Sequence, residues 1–415
     1  MATPAQHPSQ DRPKLALICT EMLPVPPVRG GAIQTYIAGV IPHLVPHFEI
    51  TVVSVADDLL PARETVNDVR FIRLGRRDGK QDYYEQVAAF IASERFDVIE
   101  LFNRPNYVRL ISDAAPGVPV VLSLHNEMFE EKKIDAAHAR ECLEATAAVI
   151  GISRFIARGV QALYPEFSSK VTWIRSGVEL RTFRPLWMMN KREAAATVAR
   201  VPDHQRRPLI LAVARLSKKK GVHVMINAMT EVLKKHPTAR LSIVGSRWYG
   251  ENTAHEYKAE VEELAKPFGD AITFSGYVPY ARIPDHFATA DMFVCASQWH
   301  EPLARVHYEA MASGLPIITT RRGGNAEVME DGYNGLLIKK HKEPAAFAAA
   351  INHLLDQPEK AAVMGRYGRL LAEKHYSWKR VAKDLRDVLQ SALWQTVAFE
   401  EQRQTVDTEY TASTS

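Results

Sequence analysis

The chain has 415 residues, 24% charged and 46% hydrophobic, with a formal net charge of +4 at pH 7. That length exceeds one ordinary core and predicts two domains, and so small a charge argues against a dedicated nucleic-acid binder. No run of about 18 apolar residues occurs, so no membrane-spanning helix is expected. Three unclustered cysteines, Cys19, Cys142 and Cys295, predict neither a disulfide framework nor a zinc site and fit a reducing, cytoplasmic setting.

The first dozen residues are polar and lack an apolar h-region, so no secretory signal is expected. An apolar run at 14–20 (KLALICT) then leads through a Pro-rich loop ending in Gly30-Gly31 to a helix predicted over 32–44. Strand-like runs follow at 49–55, 69–74, 97–101, 119–125, 147–152 and 171–174, with helical patterns at 82–95, 107–115, 132–146 and 154–163. Such alternation predicts a mostly parallel sheet. The Gly30-Gly31 pair is either a tight turn or a backbone brought close to a phosphate at a helix start. Its spacing is not that of the dinucleotide fingerprint G-x-G-x-x-G, and no G-x-x-x-x-G-K-[ST] occurs, which removes the best signals for a dehydrogenase or kinase. His125 closes a strand-like run where ligands collect in open α/β sheets, so it is either structural or functional, with Asn126 beside it. The basic series Arg70, Arg73, Arg76, Arg77, Lys80 is either a solvated loop or a surface for an acidic acceptor or an anionic membrane.

Residues 186–207, rich in Ala with a Pro/Asp/His loop, predict a linker, and a second series of strands opens at 208–214. Next come Arg215 and a lysine run, 218–220, before a helix reaching 235, then strands at 240–245, 271–276, 291–296 and 315–320. Gly245 and the pair Tyr277-Val278 end two of these on the side where ligands gather. Between the last two strands lies Ser-Gln-Trp-His-Glu-Pro-Leu-Ala-Arg-Val-His-Tyr-Glu-Ala-Met-Ala-Ser-Gly. Pro302 suits the first turn of a helix and Gly314 its stop, which would set Glu301 and Glu309 roughly 12 Å apart along one axis. That is about the reach from a sugar, past a diphosphate, to a ribose; the bland alternative is a core helix with two solvated glutamates. The chain has no D-x-D pair, the usual metal clamp on a leaving diphosphate, so side-chain cations would have to serve, and Arg215 and Lys220 are the candidates. The remainder from 343 reads as helix, and 400–415 is Thr/Ser-rich and expected to be disordered.

Glu301-Pro302, the seven residues between the glutamates, and Glu309-Ala-Met-Ala-Ser-Gly-Leu-Pro resemble the signature of retaining GT-B glycosyltransferases, family 4. The resemblance spans about residues 14–390 and includes Arg-Gly-Gly-Ala, Gly-Val-Glu with Glu179 for the usual Asp, and the Gly-Gly…Glu327…Asp-Gly…Asn-Gly run. It implies an α/β fold of two Rossmann-like domains facing a cleft, with a C-terminal helix crossing back. The expected organisation is a flexible 1–13, an acceptor domain 14–186, a linker 187–207, a nucleotide-sugar domain 208–376, a crossover helix 377–398 and a tail 399–415. It further implies that Glu301 holds the sugar hydroxyls, helped by the backbone N–H groups of Ala304 and Arg305. Glu309 would hold the ribose diol, Arg215 and Lys220 the departing phosphate, and Gly245, Tyr277 and Val278 the base. His125 and Gly31 would close the site from the other domain. The implied reaction moves a sugar, UDP-linked as the commonest case, to an unidentified acceptor with retention, without a metal or other cofactor. Leu303-Ala304 replaces the family's Phe-Gly, and Arg305 a smaller apolar residue, which puts donor binding in question if a positive φ is needed at 304. The opening loop also resembles transferase-like proteins associated with the bacillar spore coat, so a non-catalytic coat role is an alternative. A polysaccharide phosphorylase shares the fold, but no motif points to its pyridoxal-phosphate lysine.

Overall fold

Short apolar runs bounded by loops, alternating with helices, build two sheets in the computed structural model, which describes residues 12–75, 79–201, 208–246 and 256–394. The first sheet contains β1 (Lys14–Ile18), β2 (Glu49–Val55), β3 (Arg63–Val66), β4 (Val69–Leu74), β5 (Val98–Phe102), β6 (Val120–Leu124), β7 (Ala148–Gly151) and β8 (Val171–Trp173). Their order is β3-β4-β2-β1-β5-β6-β7-β8, parallel throughout except for the β3–β4 hairpin. The second sheet contains β9 (Leu209–Val213), β10 (Arg240–Val244), β11 (Ile272–Gly276), β12 (Met292–Cys295), β13 (Ile317–Thr320) and β14 (Gly335–Ile338). It is parallel in the order β11-β10-β9-β12-β13-β14. In each sheet the strand order reverses beside the first strand of the set, between β1 and β5 and between β9 and β12. Open α/β sheets bind ligands beyond the carboxyl ends of the strands at such a reversal.

The last helix, described over 378–394, returns to the first sheet. Its Trp378, Val381, Leu385 and Leu389 share one buried core with β1, β2 and β5, and the Trp378 ring meets Tyr36 edge-on at 5.9 Å. Val178 and Phe183, by contrast, are buried among Leu211, Phe287 and Phe293 of the second unit.

Several elements differ from their predicted form. The β3–β4 hairpin turns on Asn67 and Asp68, both at positive φ (50° and 62°), a conformation these two short polar residues tolerate better than most. Strand β14 was likewise not among the predicted runs. The helix expected over 132–146 is confined to Ala136–Glu144, because Asp135 caps it by accepting the N–H groups of Ala137 (3.1 Å) and His138 (3.0 Å). Most consequential, Pro302 does not begin a helix: the helix spans Val306–Ala312 only. Residues 301–304 are held instead against the 323–325 turn, where Gly324 N–H donates to the Glu301 carbonyl (2.7 Å) and Ala304 N–H to Asn325 Oδ1 (3.0 Å). The helical arithmetic relating Glu301 to Glu309 therefore does not apply.

Candidate active site between the two sheets

A cavity of about 640 Å³ opens where the carboxyl ends of the two sheets face each other. It is lined from the first sheet by Gly31, His125 and Asn126, and from the second by Arg215, Lys220, Gly245, Tyr277, Val278, Glu301, Ala304, Arg305 and Glu309. The residues assigned in the sequence to the donor and its phosphate, with His125 and Gly31, thus meet on one cavity. Its size is that of a pocket for a small organic ligand.

Lys220 and Glu301 form its most tightly bonded pair. Lys220 Nζ donates to Glu301 Oε1 (2.6 Å) and Oε2 (2.8 Å), while Ser297 Oγ (2.8 Å) and Trp299 Nε1 (2.7 Å) also donate to Oε2. Burial pushes the Glu301 carboxyl up, but Lys220, Ser297 and Trp299 outweigh it and hold the group below the usual carboxylate range. Glu301 is therefore an anion with one oxygen saturated and Oε1 the more available. Of the three N–H bonds of Lys220, two serve Glu301 and the third makes no hydrogen bond among the described residues, while the ammonium lies over the Trp299 ring, 5.9 Å from its centroid. Gly221 makes the approach possible: its φ is 70°, and a Cβ there would lie 2.0 Å from the Ala296 carbonyl oxygen. Arg215 follows β9 into the same cavity.

Arg305 and Glu309 make the second pair. Arg305 Nη2 donates to Glu309 Oε1 (3.0 Å) and to Tyr280 Oη (2.8 Å), and the Tyr280 hydroxyl donates to the same Oε1 (3.4 Å). Burial raises Glu309 above the usual carboxylate range, and the Arg305 charge and the Tyr280 hydrogen bond oppose this only in part. Ala304 is not among the residues at positive φ, so the Ala in place of Gly costs no backbone strain.

On the opposite wall, His125 sits just past β6 with its ring edge-on to Tyr36 at 5.0 Å. Burial, aided by the Arg305 charge across the cleft, depresses its pKa to about 3, so the ring is neutral at physiological pH. Asn103, at φ 59°, shapes this wall: its Oδ1 accepts the backbone N–H groups of His125 (3.1 Å) and Asn126 (3.2 Å). Beside it, Arg104 donates twice to the fully buried Glu21 (2.8 and 2.7 Å). Sequence reasoning missed Asn103, Glu21 and Arg104; the only signal was their place just beyond β1 and β5. Gly31 (φ 107°) starts the helix Ala32–Leu44, where a Cβ would lie 2.1 Å from Gln34 Oε1.

Glu327 reaches from the second unit to the first. Its carboxylate accepts the N–H groups of Arg154 (3.0 Å) and Phe155 (2.6 Å) at the start of the helix Arg154–Leu163 and pairs with Arg175 (3.3 Å). The basic series largely resolves into internal partners. Arg73 is buried, donating to the carbonyls of Val25 (3.0 Å) and Pro61 (2.6 Å), and Arg70 pairs with Glu94 (3.2 Å). Arg76 and Arg77 lie outside the described residues. Among the described residues no three His, Cys, Asp or Glu side chains converge as a metal site, and no helix is long and apolar enough to cross a membrane.

Two parallel α/β units with a shared cleft and a returning terminal helix define the GT-B architecture. Residues 197–371 match the family model "Glycosyl transferases group 1", and 31–177 match "Glycosyl transferase 4-like domain". The chain is 40% identical over 375 residues to spore coat protein SA of Bacillus subtilis (strain 168), covering 90% of this chain and 98% of that one. It is 41% identical over 380 residues to YtcC of the same organism, provisionally named a glycosyltransferase, covering 92% of each. Among solved structures, Anabaena HepE in complex with UDP and glucose superposes with a TM-score of 0.72 at 18% identity, over 92% of this chain and 100% of that one. The chain belongs to the group 1 glycosyl transferases.

Proposed function

We propose that the chain transfers a sugar from a nucleoside-diphosphate donor, with UDP as the leaving group, to an acceptor held against the first sheet, retaining anomeric configuration without a metal ion. The observation that carries this reading is the convergence of Arg215, Lys220, Glu301 and Glu309 on one cavity faced by His125. HepE, of the same fold, binds UDP and glucose, which supports the donor class. In this reading Arg215 and the third Lys220 N–H bond meet the charge that develops on the diphosphate as the bond from C1 to oxygen breaks. The acceptor hydroxyl attacks C1 from the same face and gives its proton to the departing phosphate oxygen. Glu301 Oε1 takes a sugar hydroxyl, with Trp299 and Ser297 holding the carboxylate still. A ligand using the Ala304 N–H would compete with Asn325 for it. The neutral His125 hydrogen-bonds the sugar's far side. Three free thiols suit a cytoplasmic site of action.

Thermal shift of the purified chain against UDP, ADP, GDP and their sugars, with chelator present, tests this. Stabilisation by at least one diphosphate is expected, UDP strongest, and none by any would overturn it. A second reading, a coat component that does not turn over, is favoured by the 40% identity to spore coat protein SA. It predicts that nucleotide-sugar, with or without acceptor glycans, is never consumed.

A further inference from the structure

The Arg305–Tyr280–Glu309 triangle is asymmetric in a way that a stray surface ion pair would not be. Both donors converge on Glu309 Oε1, whereas Oε2 accepts no hydrogen bond among the described residues and is not sealed from the cavity that Glu309 lines. The phenol of Tyr280 is used in both senses, accepting from Arg305 and donating to Glu309, so the three groups are mutually consistent in their protons. The Arg305 guanidinium also lies over the Tyr280 ring, 5.4 Å from its centroid, which restricts its rotamers. Glu309 is 4% exposed, and a carboxylate buried to that degree without a cation would take up a proton.

We propose that Arg305 and Tyr280 are positioning residues that keep Glu309 ionised and turn its Oε2 toward the donor's ribose hydroxyls. This rests on the reading of the chain as a nucleotide-sugar transferase. The arrangement makes Arg305 a working substitution rather than an obstruction: it fills the space of an apolar residue and supplies the charge that a buried ribose-binding carboxylate needs. The groups that face Glu309 are Arg305 at the start of its own helix and Tyr280 from the turn ahead of the helix Ile283–Thr289. Across the cleft, His125 faces Arg305 and is neutral, and the other charged side chains lining the cavity are Arg215, the Lys220–Glu301 pair, Arg29 paired with Asp57 and Arg104 paired with Glu21.

The test is the ratio of affinities for UDP and 2′-deoxy-UDP, measured by calorimetry from about pH 6 to about pH 8.5, because phosphate titration cancels in the ratio. Wild type is expected to prefer the ribonucleotide by about tenfold at every pH. In Arg305→Met the preference collapses toward unity near pH 6 and partly returns near pH 8.5, as Glu309 ionises only in the alkaline range. Arg305→Lys retains most of it, and Tyr280→Phe, which keeps the ring, loses part of it at all pH values. An unchanged ratio in Arg305→Met overturns the proposal, as does tighter binding of UDP by that variant, which would mean that Arg305 occludes the site. If wild type prefers ADP or GDP, the matching ribo/deoxy pair is used. Should none of the three diphosphates bind wild type, it is the transferase reading itself that fails.

Discussion

At the scale of single residues, the two glutamates of the cleft have unlike surroundings and should fail differently. Glu301 is held by three donors and Glu309 by two that share one oxygen. Glu309→Ala is expected to weaken diphosphate binding by about tenfold or more, while Glu301→Ala leaves binding nearer normal and slows transfer by about a hundredfold. Calorimetry and product release measure the two, and equal, negligible effects would show the roles to be wrong. A third acid, Glu100, lies at 0% exposure in β5, with Oε1 accepting from Ser123 (2.5 Å) and Oε2 unpartnered. Burial, only partly opposed by Ser123, raises its pKa from 4.5 to about 8. The folded chain therefore keeps a proton that the unfolded chain releases. Its contribution to stability is complete in acid and is lost as pH rises from about 4.5 to about 8. The melting temperature of wild type minus that of Glu100→Gln should fall across that window; a flat difference would contradict the assignment.

Between one element and the next, positions that look like mere punctuation decide where charge goes. Gly221 is the clearest, since only a residue without Cβ passes the Ala296 carbonyl and still leaves Lys220 on Glu301. Gly221→Ala should cost about 1–3 kcal/mol in denaturant unfolding and weaken UDP binding as well. Stability and affinity both unchanged would refute this. The sequence pattern located β1, β2, β4 and the helices Ala32–Leu44 and Arg154–Leu163 well, because continuous apolar runs and helical periodicity are local signals. It also brought the motif residues to one cavity, since identity at Glu301, Glu309, Arg215 and Lys220 is carried by resemblance. What stayed illegible depends on distant partners. Pro302 looks like a helix start until Asn325 and Gly324, twenty residues on, are seen to hold its neighbours. The Lys220–Glu301 bond spans 81 residues and the Glu21–Arg104 pair 83, with no periodicity to mark either.

On the scale of the whole molecule, the cleft exists only while the two sheets face each other, and two devices hold them so. The helix at 378–394 is rooted in the first core, and Glu327 caps the helix Arg154–Leu163 across the boundary. A carboxylate at a helix N-terminus contributes about 1 kcal/mol, so Glu327→Gln should loosen rather than unfold the pair. Small-angle scattering should then find a larger radius of gyration without nucleotide, restored by saturating UDP; an unchanged radius would show that Glu327 does not hold the units together. Side-chain cations at the cleft are expected to receive the diphosphate. Titration calorimetry of UDP against uridine, in chelator, with wild type, Arg215→Met and Lys220→Met, tests this most directly. Wild type should prefer UDP by about a hundredfold and each variant should lose most of that preference; equal binding of UDP and uridine by wild type would show that the cations do not meet a diphosphate.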